Sequence, residues 1–171
     1  MKNALIKYVQ NPKFDDIYTP DEAIYPLLKY IPKNITIWEC CDNEGDSNIT
    51  KLLKKYGYNV ISTGKKEDFI HYEQKEDFDM IITNPPYSLK DEFIKKCYEW
   101  KKPFCLLLPI TALEGKTRNK MYKQYGIEIL VFNKRINFMK DKKGSWFNTS
   151  WFCHNVLPEK IIFEELGDNN D

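Results

Sequence analysis

Short runs of apolar residues alternate with amphipathic segments along most of the chain. Five runs are rich in β-branched and aromatic residues and have the length of strands. They are Ile35–Glu39, Tyr58–Thr63, Phe78–Thr83, Phe104–Leu108 and Ile127–Phe132. Nearly continuous apolar strands, separated by enough chain for a crossover helix, are typical of a parallel sheet covered on both faces. The pattern therefore predicts an α/β fold with a mostly parallel sheet.

Two segments carry the signals of helix ends. Thr19 is predicted to cap a helix that has Pro20 in its first position and runs to about Lys29. The segment 47–56 places apolar residues at helical spacing, and Gly57 follows in the usual C-terminal position. The second helix comes directly after the first strand and its loop, so a strand, loop and helix unit is expected there.

The alternation of apolar runs with amphipathic segments ends after Arg135. The segment 136–139, a polar turn at 140–144 and the aromatic-rich segment 145–154 are predicted to form an antiparallel hairpin at the edge of the sheet. The segment 158–166 then adds one more apolar run before an acidic tail. The C-terminal part is thus expected to differ in strand direction from the rest of the sheet.

Length and composition set the organisation of the chain. A length of 171 residues suits one continuous core, so we expect a single domain with a leader at 1–17, a parallel α/β core at 18–135, and the hairpin and tail at 136–171. No apolar run has the length of a signal peptide or of a membrane span. Five cysteines without framework spacing indicate reduced thiols. A cytoplasmic protein without a membrane partner is expected.

Charge is uneven along the chain. The formal net charge is only +1, but residues 89–143 carry 14 Lys and Arg against 6 Asp and Glu. Any attraction to nucleic acid must therefore come from this region and not from the molecule as a whole.

The loop after the third predicted strand carries the most specific motif. Asn84-Pro85-Pro86-Tyr87 directly follows Thr83, at the carboxyl end of a strand, where open α/β sheets bind their ligands. The prolines remove two backbone donors and force an extended path. The Asn84 oxygen and the Pro85 carbonyl can accept both hydrogens of an exocyclic amino group, and Tyr87 can stack on its ring. A rigid turn alone would explain the prolines but not the flanking Asn and Tyr.

This motif and its surroundings resemble a known family. The loop, the earlier segment Tyr18-Thr19-Pro20-Asp21-Glu22-Ala23-Ile24 and the order of the two are similar to amino-directed class I S-adenosylmethionine-dependent methyltransferases, and among them to small phage-type adenine-N6 methyltransferases. The resemblance extends through 58–61, 106–109 and 135–138. It implies a Rossmann-like class I methyltransferase fold, S-adenosylmethionine as cofactor and catalysis by Asn84, Pro85, Pro86 and Tyr87. It also implies a phage or prophage gene expressed in a bacterial host cell.

The resemblance further implies a set of cofactor contacts. Glu39 and Gly45 keep the family's positions, and Asn43 stands where a turn glycine is expected. Thr63 replaces an acidic ribose-binding residue and could supply one hydroxyl contact. Asp68 and Phe69 resemble a pair near the cofactor adenine, although Phe69 also fits a core position. The implied cofactor-binding residues are Tyr18, Thr19, Pro20, Glu39, Cys41, Asn43, Gly45, Thr63, Asp68 and Phe69.

Two further acids lie in the predicted cofactor loop. Asp42 and Asp46 would be close to the methionine carboxylate of the cofactor, which is unfavourable. Their charges suit a cofactor site only if they face its amino or sulfonium group instead.

Basic and aromatic residues after the catalytic loop predict a nucleic-acid surface. Five basic residues follow the loop or lie near the same sheet end and could contact phosphates, namely Lys90, Lys95, Lys116, Arg118 and Arg135. For any single basic residue, a solvated helix face is the simpler interpretation. Of three aromatic residues near the end of the chain, one is expected to stack on an extruded base; they are Trp146, Phe147 and Trp151.

The predicted function is N6-adenine methylation of DNA or RNA. Glutamine amides and guanine N2 remain alternative amino groups, and a protein of the same fold without cofactor affinity, acting as a binding or inhibitor protein, is an alternative of a different class. No residues remain for a dedicated target-recognition domain, so sequence choice is expected to be weak, to come from a partner protein, or to rest on a structured RNA or a single strand. A homodimer is an alternative to a complex with a partner protein. No metal is expected, because Cys153 and His154 lack companion ligands.

Overall fold

The computed structural model describes residues 18–42, 45–64, 69–73, 75–138 and 148–167. Helices and strands alternate through most of this range, with two 3-10 turns at Tyr87–Leu89 and Ile110–Leu113. The elements are α1 (Asp21–Leu28), β1 (Thr36–Glu39), α2 (Asn48–Lys55), β2 (Asn59–Ser62), β3 (Met80–Thr83), α3 (Lys90–Trp100), β4 (Phe104–Pro109), α4 (Lys116–Tyr125), β5 (Glu128–Phe132), β6 (Thr149–His154) and β7 (Ile161–Glu164). The five predicted strands are confirmed, with ends shifted by one or two residues.

The strands form one sheet in the order β2-β1-β3-β4-β6-β5-β7. β1 pairs in parallel with β2 and β3, β3 with β4, and β5 with β7. Only β6 runs against its neighbours, β4 and β5. The predicted α/β fold with a mostly parallel sheet is confirmed. Because β1, β2, β3 and β4 share one direction, their carboxyl ends lie at one edge of the sheet.

The antiparallel part of the sheet differs from the predicted hairpin. It is a single strand, β6, inserted between β4 and β5, with Cys105 opposite Cys153 and Leu130 opposite Trp151. Residues 136–138 are not in a strand, and 139–147 lie outside the described residues. β6 is buried along five of its six residues, which suits a central strand better than an edge. The edge position belongs to β7 instead.

Two apolar layers cover the two faces of the sheet. α1 and α2 pack on the face that includes Ile37, Leu107 and Trp151. α3 and the inner side of α4 pack on the face that includes Trp38 and Phe152. The indole Nε1 of Trp151 also donates to the carbonyl of Ala23 at 2.7 Å, which fixes α1 across β6. Helices on both faces are thus confirmed.

The two predicted helix starts have different outcomes. Ser47 caps α2 by accepting from the Thr50 amide at 3.1 Å. At α1, Pro20 takes the N-cap position without a side-chain cap, so the predicted Thr19 cap is wrong. Thr19 is buried, and its carbonyl accepts from Asn48 Nδ2 at 2.9 Å. Thr19 therefore joins the start of α1 to the start of α2.

Candidate active site

The loops after β1, β2 and β3 lie next to one another at the carboxyl edge of the sheet. The Asp42 amide donates to the Thr63 carbonyl at 2.8 Å, and the Thr63 amide donates to the Glu39 carbonyl at 3.0 Å. The Thr83 hydroxyl donates to the Glu39 carboxyl group. The predicted cofactor loop and the predicted catalytic loop are therefore tied together at the same edge.

Asn84 holds an unpaired acceptor at this edge. Its side-chain oxygen Oδ1 is buried and has no hydrogen-bond partner among the described residues. Leaving such an oxygen unpaired costs about 1–3 kcal/mol, and most buried polar atoms avoid it. The next residue, Pro85, is buried, and Pro86 continues in an extended conformation with φ −55° and ψ 122°. The loop thus presents an acceptor that a donor from a bound molecule would satisfy.

Tyr87 and Lys90 complete the loop on the side of α3. The Tyr87 ring is half-buried and packs against the apolar layer beneath α3. Lys90 Nζ donates to the Tyr87 carbonyl at 3.4 Å. The Tyr87 ring is thus anchored on the protein while part of it stays accessible.

Glu39 lies beneath both loops. It is 1% exposed, and burial raises its pKa to about 8 in spite of hydrogen bonds that favour the charged form. Besides Thr83, the Cys41 amide donates to Oε1 at 2.9 Å and the Ser47 hydroxyl lies 3.5 Å from Oε2. A neutral carboxyl group at pH 7 therefore links the two loops. Its predicted contact with the cofactor stays a prediction.

Asp42 does not face a cofactor. Its carboxylate is fully buried and accepts from the Ser47 amide at 2.8 Å, the Thr50 hydroxyl at 2.5 Å and the Ser62 hydroxyl at 2.6 Å. These bonds connect the start of α2 with the end of β2. The three bonds hold the Asp42 carboxylate inside the protein, so it is not turned toward the amino or sulfonium group of a cofactor.

Asp46 is also paired within the chain. It forms an ion pair with Lys51 and accepts from the Tyr18 hydroxyl at 3.0 Å. The Lys51 hydrogen bond lowers the pKa of Asp46, and the hydrogen bond to Asp46 raises the pKa of Tyr18. The segment that precedes α1 is thereby attached to the cofactor loop, as its predicted place near the cofactor requires.

Gly45 and Thr63 keep features that suit a ligand. Gly45 has φ +83°, and a Cβ built on it would meet nothing within 4 Å, so open space lies beside the turn. The Thr63 hydroxyl accepts from the Trp38 indole at 2.8 Å and keeps its own hydrogen to donate. Cys41, four residues before Gly45 in the loop after β1, is half-buried. Open space beside a turn at the carboxyl edge of the sheet fits S-adenosylmethionine, and Cys41, Gly45 and Thr63 would hold it.

Two predicted site residues have other roles. Phe69 is 3% exposed, stacks on Phe93 with ring centroids 4.6 Å apart and contacts Trp38, so it is a core residue and not a cofactor contact. Arg118 has a side chain only 12% exposed and pairs with Asp91. It also donates to the carbonyls of Ala112 and Glu114. Arg118 therefore joins the start of α3 to the turn after β4 and is not available to phosphates.

The other predicted site residues lie partly within and partly outside the described part of the chain. Arg135 is exposed just after β5, and Trp151 is buried and bonded to α1, which excludes Trp151 from base stacking. Four predicted residues lie outside the described part of the chain, namely Asn43, Asp68, Trp146 and Phe147. Sequence reasoning missed Thr83 as the link between the loops. Its position directly before Asn84 was the available signal.

Other sites are not indicated within the described residues. Their His, Cys, Asp and Glu side chains form no group that could hold a metal ion, and none of their helices is long and apolar enough to span a membrane. An open groove of about 790 Å³ runs along edge strand β2, next to Thr36 and Tyr58. It is lined by none of the predicted site residues.

The chain is similar to one known protein family and to solved structures of known description. A profile of the family described as Eco57I restriction-modification methylase matches residues 28–152. No curated protein matches the chain in sequence. A structure described as a class I S-adenosylmethionine-dependent methyltransferase from Listeria monocytogenes superposes with a TM-score of 0.64 at 15% identity, covering 99% of this chain and 72% of that one.

A second solved structure has the same fold over a smaller share of its length. The methyltransferase subunit of a type I restriction-modification system from Streptococcus thermophilus superposes with a TM-score of 0.53 at 13% identity. The match covers 88% of this chain and 47% of that one. At these identities the likenesses show the class I methyltransferase fold.

Proposed function

The chain belongs to the Eco57I restriction-modification methylase family, and we propose that it transfers a methyl group from S-adenosylmethionine to the N6 amino group of adenine in nucleic acid. The observation that carries this proposal is the buried Asn84 Oδ1, which lacks a partner among the described residues. A planar amino group is a donor that matches it. A phage or prophage gene expressed in the cytoplasm of a bacterial host is part of the same proposal.

Asn84 and Pro85 orient the amino group. With Oδ1 and the Pro85 carbonyl accepting its two hydrogens, the nitrogen lone pair is held in one direction. The same acceptors stabilise the positive charge that develops on nitrogen during transfer. Tyr87 stacks on the ring that carries the amine and sets its plane. These groups are fixed by the prolines and by the Thr83–Glu39 link before a substrate arrives.

The cofactor side of the site is the loop after β1. Bound S-adenosylmethionine supplies a methyl group activated by its sulfonium, so the attacking amine needs no strong base. Gly45 leaves space for close approach, Cys41 lies in the same loop, and the Thr63 carbonyl accepts from the Asp42 amide of that loop. Tyr18, Thr19 and Pro20 lie against the start of α2 through Asn48 and Asp46.

The nucleic-acid assignment draws on the family and on charge. The matching family is one of restriction-modification methylases, which favours DNA. Lys90 and Arg135 lie at the carboxyl edge of the sheet and add positive charge there. Glutamine amides and guanine N2 would satisfy the same two acceptors, so only the product distinguishes them.

Product analysis tests the proposal. The purified chain is incubated with methyl-labelled S-adenosylmethionine and unmethylated DNA, as single strand and as duplex, or RNA, and the nucleosides are separated by mass spectrometry. We expect N6-methylated adenine from the parent and from Asn59→Ala, an exposed asparagine on β2, but not from Asn84→Ala.

Other outcomes assign other functions. Label on guanine N2 or on protein would replace adenine as the substrate. Calorimetry that finds no binding at millimolar S-adenosylmethionine, together with no labelled product, would favour the binding or inhibitor protein.

A further inference from the structure

Helix α4 presents three lysines on its solvent side. Lys116, Lys120 and Lys123 follow the i, i+4, i+7 spacing of one helix face, and all three are exposed. The opposite side carries Met121 and Tyr122, which pack on the apolar layer beneath the helix. We refer to the three lysines as the α4 lysine face.

The α4 lysine face has no counter-charge in the described structure. None of its lysines forms a hydrogen bond or ion pair with a described residue. Three lysines elsewhere in the described residues form ion pairs, namely Lys29 with Glu164, Lys51 with Asp46 and Lys95 with Glu99. The helix sequence KTRNKMYKQY contains no acid.

Helix stability does not explain this arrangement. Like charges at i, i+4 and i, i+3 each disfavour a helix by about 0.2–0.5 kcal/mol. Lys116 also stands in the first turn, where the helix dipole favours a negative charge. An anion bound along this face would offset both effects.

The α4 lysine face begins at the edge that holds Asn84. The turn Ile110–Leu113 leaves the carboxyl end of β4 and leads into α4. Arg118 fixes the first turn of α4 to Asp91 in the first turn of α3, the helix that follows the catalytic loop. Lys123 lies about 10 Å further along the helix axis than Lys116.

We propose that the α4 lysine face binds the phosphate backbone of the nucleic-acid substrate beside the target base. The inference rests on the proposed function and names the surface that holds its substrate. Three ammonium groups over about 10 Å match about three phosphates of one strand, at a rise of about 3.4 Å per nucleotide. Contacts of this kind position the substrate without reading its sequence.

A matched pair of double variants tests the inference. Lys116→Ala with Lys120→Ala removes two charges from the α4 lysine face. Lys54→Ala with Lys55→Ala removes the same charge from exposed positions on α2, which covers the opposite face of the sheet. Circular dichroism confirms that both variants fold. The probe is a fluorescently labelled, adenine-containing DNA oligonucleotide, as single strand and as duplex, and binding is measured by anisotropy over a range of KCl concentrations.

We expect the α4 variant alone to lose affinity. Its dissociation constant should rise about tenfold or more at low salt, and its salt dependence should fall by about 1.4 for single strands or 1.8 for duplex, the value for two phosphate contacts. The KM for DNA should rise while kcat at saturating DNA is unchanged. The α2 variant should match the parent in all three quantities.

The opposite results overturn the inference. If both double variants equal the parent, or weaken binding equally, the α4 lysine face is not the binding surface. An active parent with an unchanged α4 variant overturns the inference alone. A parent that neither binds nor methylates nucleic acid overturns the proposed function as well.

Discussion

The loops after β1 and β3 meet at one sheet edge but satisfy their polar groups in opposite ways. In the loop after β1, Asp42 accepts three hydrogen bonds from within the chain, and Asp46 is paired with Lys51 and Tyr18. In the loop after β3, the Asn84 oxygen has no partner in the described part of the chain. Acids bonded within the chain hold the architecture of this edge, whereas the buried Asn84 oxygen is the acceptor that we propose for the substrate amine.

This difference separates stability from activity. Removing a saturated group leaves its former partners unpaired and destabilises the fold. Removing an unpaired group relieves a cost and harms only the reaction that used it. Mutations in the loop after β1 should therefore lower stability, and mutations in the loop after β3 should lower activity.

The largest expected effect is on turnover. Asn84→Ala removes an acceptor that orients the amine and stabilises developing charge, so kcat should fall by about 10²- to 10³-fold or more. The melting temperature should not fall, because the lost oxygen had no partner among the described residues. Single-turnover methylation and differential scanning fluorimetry measure the two quantities. Normal turnover by this variant would remove the proposed mechanism.

The corresponding change in the other loop should act on stability. Asp42→Ala leaves the Ser47 amide and the Thr50 and Ser62 hydroxyls without their acceptor, so the free energy of unfolding should fall by about 2–4 kcal/mol. Urea denaturation measures this change. The matched control is Asp79→Ala, since Asp79 is exposed and accepts one bond, from the Thr36 amide. Equal losses in the two variants would contradict a structural role specific to Asp42.

The carboxyl group of Glu39, which links the two loops, should make stability depend on pH. Its pKa is raised from 4.5 to about 8, so folding takes up a proton between these values. Its contribution to stability is therefore fully present below about pH 4.5 and is lost as pH rises through about 8. The slope should be on the order of 1 kcal/mol per pH unit within this window.

Urea unfolding at a series of pH values measures this dependence. Glu39→Gln keeps a neutral group of the same shape and should flatten the curve, becoming more stable than the parent above pH 8. A parent curve without this slope would mean that Glu39 is charged in the folded protein.

The smallest expected effect distinguishes backbone strain at a glycine from loss of the space that the cofactor needs. Gly45→Ala and Gly57→Ala both add a Cβ in open space at φ +83° and +85°. Each should lose about 1 kcal/mol of stability, because the left-handed region is strained for alanine. Only Gly45→Ala should also weaken S-adenosylmethionine binding in calorimetry. Equal affinity in both variants would place the cofactor away from the turn after β1.

Local chemistry explains the parts that were predicted correctly. The apolar runs marked β1 to β5, and the helical spacing over 47–56 with Gly57 after it marked α2, because side-chain period and helix ends depend on near neighbours. The predicted C-terminal hairpin was only partly correct. β6 is antiparallel to its neighbours, but it is a central strand and not part of an edge hairpin. The pairing of β6 with both β4 and β5 joins segments far apart in the chain, and no local pattern specifies it.

The α/β alternation and the motif Asn84-Pro85-Pro86-Tyr87 could be read from local residue order, since prolines after an apolar strand restrict their own backbone path. Which polar groups remain unpaired depends on the folded arrangement. Asp42 and Arg118 have the residue types of a binding site, yet both are bonded to residues that folding brings close. Availability to a ligand depends on those distant partners, and therefore on the packing of the whole sheet edge.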